Sequence, residues 1–216
     1  MENSVGHLFS YRRQLPELSA EHEVQLRRFK ELVLDWNARI NLISRKDTET
    51  FEVRHVLHSL SVNRYIRFWA GARVLDLGTG GGFPGIPLAI VNPEVQFTLV
   101  DSIEKKMKAV ADMVAQLELG NVRVVRSRVE EIKEPFDYVV SRAVAPMPDL
   151  VRWTRGGVLS GQAGSLPNGW LVLKGGDLTE ELRPFGKSVE VQALKEYWED
   201  EFFETKSLVY LPRQQV

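Results

Sequence analysis

The sequence contains no cysteine. That absence excludes disulfides, thiolate metal sites and cysteine nucleophiles together. It also excludes methylation at pyrimidine carbon-5, which proceeds through a covalent cysteine adduct. Long apolar runs are missing too. A bilayer span needs roughly 20 consecutive apolar residues, and the longest candidate, around Phe83–Val91, is broken by Pro84 and Pro87. The N-terminal stretch MENSVGHLFSYRRQ lacks the apolar core of a signal peptide, so the expected location is the cytoplasm. An excess of charge is also lacking. The formal net charge is −1, so the chain as a whole is no cationic clamp for nucleic acid. Charge is unevenly placed, however. Arg123, Arg126, Arg128, Arg142, Arg152 and Arg155 crowd the middle, and Glu196–Glu204 is acidic.

What is present is an ordinary globular composition, 44% hydrophobic and 26% charged, over 216 residues. That length suits one sizeable core plus an extension. Residues 19–66 carry a helical pattern. Leu26, Phe29, Val33, Trp36 and Ile40 recur at spacings of three and four, which places them on one stripe. Ser19 is the expected N-cap, with Glu21 and Glu23 in the first turn. A second helix is expected to start near Asp47 or Thr48 and run through RHVLHSL.

After Gly71 the pattern changes to RVLDLG, VQFTLVD, NVRVVRS, FDYVVS and WLVLKG as strands, with PGIPLAIV and SIEKKMKAVADMVAQL as helices. SVEVQAL and KSLVYLP add two late strands. Strands alternating with helices predict a mostly parallel α/β sheet covered on both faces, with an antiparallel C-terminal edge. The expected division is a helical extension over 1–69 and an α/β domain over 70–216. The glycine-rich stretch 156–169 is either a mobile lid or a tolerated insertion.

The strongest local signal is VLDLGTGGGFPG, residues 74–85. A strand ends in an acid and turns through glycines into a helix, the arrangement that lets a ligand approach the backbone closely. Gly80, Gly82 and Gly85 also satisfy the dinucleotide pattern GxGxxG, a weak match by itself. Two features favour S-adenosylmethionine over a dinucleotide, and a third supports a nucleoside of either kind. Asp76 offers a carboxylate to a ligand carrying an ammonium and a sulfonium. Pro84 and Pro87 remove N–H donors that a pyrophosphate wants. Asp101 ends the second strand 23 positions after Gly78, where an acid accepts from ribose hydroxyls. After the third strand, Glu130 or its adjoining backbone is expected to read an adenine edge; the alternative is a solvated acidic turn.

The run LDLGTGGGFPGIPLAI resembles the cofactor loop of the bacterial 16S ribosomal RNA guanine-N7 methyltransferases, the glucose-inhibited division protein B family. The resemblance covers nearly the whole chain: WNARINL and RHVLHSL upstream, then FTLVDS, SRVEE, SRAV and LKG downstream. It implies a Rossmann-like methyltransferase fold, S-adenosylmethionine as cofactor and 16S ribosomal RNA as partner, within the small subunit or its precursor. It further implies cofactor contacts at Gly78, Phe83, Val129, Glu130 and Arg142. Two departures stand out: His58 replaces an acid common in the family, and the 156–169 loop is long.

The chemistry agrees by what is missing. Guanine N7 has a lone pair and no proton, so its methylation needs orientation and no general base. The Asn/Asp-Pro-Pro-Tyr motif that holds an exocyclic amine is replaced by SRAVAP. Arg142 and Lys174, ending the fourth and fifth strands, are the candidate positioning residues, and Arg142 could hold the cofactor carboxylate or a phosphate. Arg54 and His55 are expected at the cleft, seating RNA or cofactor. His55 and His58 share a helical face but have no third ligand at supporting spacing, so no metal is expected. The competing readings are a methyltransferase acting on a small molecule or a protein, a nucleotide-dependent oxidoreductase, and a cofactor-binding regulator without catalysis.

Overall fold

The computed structural model describes residues 9–132 and 134–216, without the side chain of Val129. Seven strands form one sheet: β1 (Arg73–Leu77), β2 (Gln96–Asp101), β3 (Val122–Arg126), β4 (Tyr138–Arg142), β5 (Gly169–Gly175), β6 (Glu190–Ala193) and β7 (Lys206–Pro212). Their order is β3-β2-β1-β4-β5-β7-β6. The first five run parallel, while β7 lies antiparallel to both β5 and β6. The order reverses beside β1, so a crevice opens at the carboxyl ends of β1, β2 and β4.

Alternation along each strand divides the core. Val74, Phe97, Leu99, Tyr138, Val140 and Leu171 face one side, and Leu75, Val100, Val139, Trp170 and Val172 face the other. The first side is covered by α2 (Ala20–Asn37), α3 (His58–Tyr65), α4 (Gly85–Val91) and α5 (Glu104–Gln116). The second is covered by α6 (Met147–Thr154) and α7 (Thr179–Leu182). A short α1 (Tyr11–Gln14) precedes them. Leu26, Phe29 and Val33 of α2 belong to the same buried cluster as the sheet.

Ser19 caps α2 as expected, accepting from the His22 N–H while the Ser19 N–H donates to His22 Nδ1. The helix stops at Asn37, so Ile40 lies beyond the stripe. The second helix begins later than expected. Arg45–Asp47 is a separate 3₁₀ turn, and the helix starts at Phe51 through a π-helical turn, Glu52–Leu57, that runs into α3. Asp47 does not cap it; its carboxylate is taken by Arg54 at 2.8 Å. Helix α6 is absent from the sequence expectation, because Pro146 and Pro148 interrupt its first turn and only Leu150 and Val151 signal an apolar face.

The 156–169 stretch is not a lid over the crevice. It lies at the opposite end of the sheet, joined by bridges from Gly164 to Phe68 and from Val158 to Phe136. Tyr138 and Tyr210 hydroxyls donate to Leu166 and Pro167 carbonyls at 2.6 and 2.7 Å. Among the described residues, no helix is long and apolar enough to cross a membrane.

Candidate functional site: a cavity at the carboxyl ends of β1, β2 and β4

The glycine loop is shaped by a carboxylate beneath it. Asp76 is fully buried, and its Oδ2 accepts from Thr79 Oγ1 at 2.6 Å and from the Gly85 N–H at 2.8 Å. Its Oδ1 is buried without a partner among the described residues. Burial pushes the carboxyl up to about 7, against the opposing pull of those hydrogen bonds. Asp76 therefore holds the loop from behind and does not line the cavity. It sits on the face packed by α4, one residue before the strand's end, which keeps its carboxylate inside the core.

Above it opens a cavity of ≈ 650 Å³, within the range of small-ligand sites. Gly78 and Gly80 line it with positive φ of 70° and 57°. A Cβ at Gly78 would meet Val144 Cγ2 at 2.3 Å, so only glycine admits that approach. Gly82 instead packs against Ile86 and stays out of the wall. Asp101 lines the cavity, its Oδ2 accepting from the Gly80 N–H at 3.1 Å and its Oδ1 from the Ile103 N–H at 2.9 Å. Glu130 lines it from the 3₁₀ turn Val129–Glu131; the Val129 side chain lies outside the described residues.

The opposite wall combines His55 of the π-helical turn and the loop 42–44 with Phe83 and Arg142. Phe83 is 3% exposed, with the His55 ring centroid 4.9 Å away and Arg142 Cζ 4.7 Å from its ring centre. Arg142 Nη2 meets His55 Nδ1 at 3.0 Å, and Nη1 donates to the Arg54 carbonyl at 3.2 Å. Burial lowers Arg142 to about 10, opposed by Asp76 and Asp47. Burial, and then the Arg142 charge, drives His55 down to about 3, so the ring is neutral. With Nδ1 turned to Arg142, the remaining ring proton is assigned to Nε2, 3.8 Å from Asp47 Oδ2.

The sequence places His55 and Arg54 together at the cleft, but adjacent helical residues cannot share a face. Arg54 pairs with Asp47, and its guanidinium lies 5.5 Å from the Phe202 ring, in a separate groove with Thr50 and Lys206. Lys174 also misses this cavity and lines a neighbouring one. Leu42, Ala143 and Val144, which fall inside the motifs WNARINL and SRAV, also line the main wall, as do Ser44, Lys106 and Trp153, which no sequence motif singles out. Asn37 Oδ1 accepts from the N–H groups of Leu42 and Ile43 at 2.9 and 3.0 Å, which fixes that edge. Ala143 adopts φ 54°, an uncommon conformation for a side-chain residue, and no local motif signals it.

Glycines that admit close approach, an acid ending β2 and an aromatic wall carrying one buried guanidinium fit a nucleoside that carries a compact charged tail. Strand order and site together define a class I S-adenosylmethionine-dependent methyltransferase fold. That fold is shared with a SAM-dependent methyltransferase from Aquifex aeolicus, with a TM-score of 0.54 and 17% identity, over 78% of this chain and 98% of that one. A precorrin-6y C5,15-methyltransferase from Geobacter metallireducens matches with a TM-score of 0.52 and 13% identity, over 79% of this chain and 89% of that one. The family model described as rRNA small subunit methyltransferase G matches residues 22–208. The ribosomal RNA small subunit methyltransferase G of Bacteroides fragilis is 48% identical over 210 residues, covering 97% of this chain and 92% of that protein. The protein of the same name from Flavobacterium psychrophilum is 48% identical over 200 residues, covering 93% and 95%. The chain belongs to the rRNA small subunit methyltransferase G family.

Proposed function

We propose that this chain transfers a methyl group from S-adenosylmethionine to N7 of a guanine in bacterial 16S ribosomal RNA. The carrying observation is that the family match over residues 22–208 contains every residue lining the cavity. In this reading 70–216 is the methyltransferase domain, and the 1–69 extension supplies Leu42, Ser44 and His55 to its cavity.

S-adenosylmethionine, when bound, supplies an electrophilic methyl on a sulfonium. Gly78 and Gly80 let the backbone approach it, and Asp101 offers its carboxylate to ribose hydroxyls. Glu130, with the Val129 backbone beside it, marks the adenine end. Asp76 and Gly82 act indirectly by shaping the loop, and Phe83 and Arg142 form the far wall. Arg142 is held by His55 and the Arg54 carbonyl, so it presents charge at a defined place.

A proton acceptor is unnecessary, because guanine N7 carries no proton. The arrangement agrees: His55 Nδ1 is occupied by Arg142. Orientation alone can lower such a barrier by about 7 kcal/mol or more. The formal net charge of −1 offers little counterion release on naked RNA, so the reading places the RNA within the small subunit or its precursor, in the cytoplasm. Nucleoside analysis of 16S ribosomal RNA from cells with and without the gene tests this. Loss of one 7-methylguanosine per RNA is expected; unchanged content would contradict it.

A further inference from the structure

Beside the cofactor cavity lies a second one of ≈ 450 Å³, and the two share Arg142, Ala143 and Val144. Lys174, at the end of β5, and Glu181, on α7, both line the second cavity. Lys174 Nζ lies 2.7 Å from Glu181 Oε1, with the side chains only 9% and 23% exposed. Each partner is held a second time. Lys174 Nζ donates to the Ala145 carbonyl at 2.6 Å, and Glu181 Oε1 accepts from the Met147 N–H at 2.7 Å. One ammonium hydrogen is left over, together with Glu181 Oε2, which has no partner among the described residues. A desolvated ion pair contributes little net stability. What this one presents to the cavity is a pattern, a donor beside an acceptor.

Guanine carries the complementary pattern, the O6 acceptor next to the N1–H donor. Adenine carries the reverse, an amino donor next to an N1 acceptor. We propose that Lys174 and Glu181 read O6 and N1–H of the target guanine in this second cavity and so select guanine over adenine. The inference rests on the guanine-N7 reading above. With O6 at Lys174, N7 is the next acceptor round the ring, on the side away from Glu181, and stays open to the seam shared with the cofactor cavity. Glu181 also offsets the lysine charge, which would otherwise oppose the positive charge that N7 gains. A base placed here is removed from its stack, as base-modifying enzymes require.

The test is Glu181→Gln in the full chain. The amide oxygen keeps an acceptor for the Met147 N–H, while the other atom becomes a donor facing N1–H. With S-adenosylhomocysteine saturating the first cavity, guanosine and adenosine monophosphates are compared by ligand-observed NMR titration. The wild-type protein is expected to prefer guanosine monophosphate, and Glu181→Gln to lose that preference. On small subunits kcat/KM is expected to fall about ten- to hundred-fold, with S-adenosylhomocysteine affinity unchanged and a lower melting temperature, because Lys174 loses its counter-charge. An unchanged guanosine preference in a folded variant, or adenosine preferred by the wild type, overturns the assignment. If Glu181→Gln fails to fold, Lys174→Met replaces it, with the same expected loss of guanosine preference and the same overturning result. Failure of the underlying reading shows separately: wild-type protein then forms no 7-methylguanosine on subunits, whatever the nucleotide preference.

Discussion

At the scale of single residues, the cavity rests on groups whose ionisation burial controls. Asp76 binds its proton more tightly folded than unfolded, because burial lifts it to about 7 from 3.8. Between those values folding takes up a proton, so this residue's contribution to stability falls as pH rises and levels off above about 7. His55 works in the opposite sense. Its folded value lies at about 3, below the free imidazole, so it costs stability as pH falls from 6.5 toward 3. Comparing wild type with Asp76→Asn separates the two, since the histidine contributions are common to both proteins. The Asp76→Asn variant is expected to gain stability relative to wild type as pH rises from about 5 to 8, in thermal melts across that range. Parallel curves would mean that Asp76 is already ionised in the fold. Gly85 gives a second residue-level prediction. A Cβ there would meet Asp76 Oδ2 at 2.5 Å and Leu99 Cγ at 2.8 Å. Gly85→Ala is therefore expected to cost about 1–3 kcal/mol in urea unfolding. These roles are only partly legible in the sequence. The acid and the glycines stand out in VLDLGTGGGFPG, but a strand reading does not say which way the carboxylate turns. Asp76 is expected beside the ligand and lies behind the loop.

At the scale of elements, the wall facing the glycine loop depends on how α2 ends. Asn37 closes the helix by accepting the Leu42 and Ile43 N–H groups, and Leu42 then lies 3.3 Å from a Cβ built at Gly81. Asn37→Ala leaves two backbone donors without that acceptor. The expected cost is about 1–3 kcal/mol of stability, with weaker S-adenosylhomocysteine binding by calorimetry. Unchanged affinity would detach α2 from the cavity. The apolar stripe of α2 from Leu26 to Trp36 is readable from its spacing. The π-helical entry through Glu52–Leu57 is not, because periodicity reports a mean repeat and misses one inserted residue. That turn is what puts His55 in the cavity wall while Arg54 points to Asp47 and Phe202. Helix α6 escapes for a related reason: eight residues with prolines at either side of Met147 carry too little pattern to distinguish a helix from a loop.

At the scale of the whole molecule, strand order is the determining feature. Parallel strands β1–β5 and the antiparallel β7–β6 edge follow from alternating apolar runs, and only the order within the sheet has to come from the structure. That order brings together loops from residues 42–44, 78–83, 101–106, 127–130 and 142–144, far apart in sequence. The second cavity is invisible in the sequence, since Glu181 reaches Lys174 only through the packing of α7 on the second face. The central claim is a molecular one, that these cavities carry a methyl group to a guanine of small-subunit RNA. Its most direct test is transfer from labelled S-adenosylmethionine to small ribosomal subunits taken from a strain lacking this protein, followed by nucleoside digestion and mass detection. The expected result is one added 7-methylguanosine per subunit, with a lower rate on naked RNA. Label in another nucleoside, or none despite calorimetric binding of S-adenosylhomocysteine, would contradict the account.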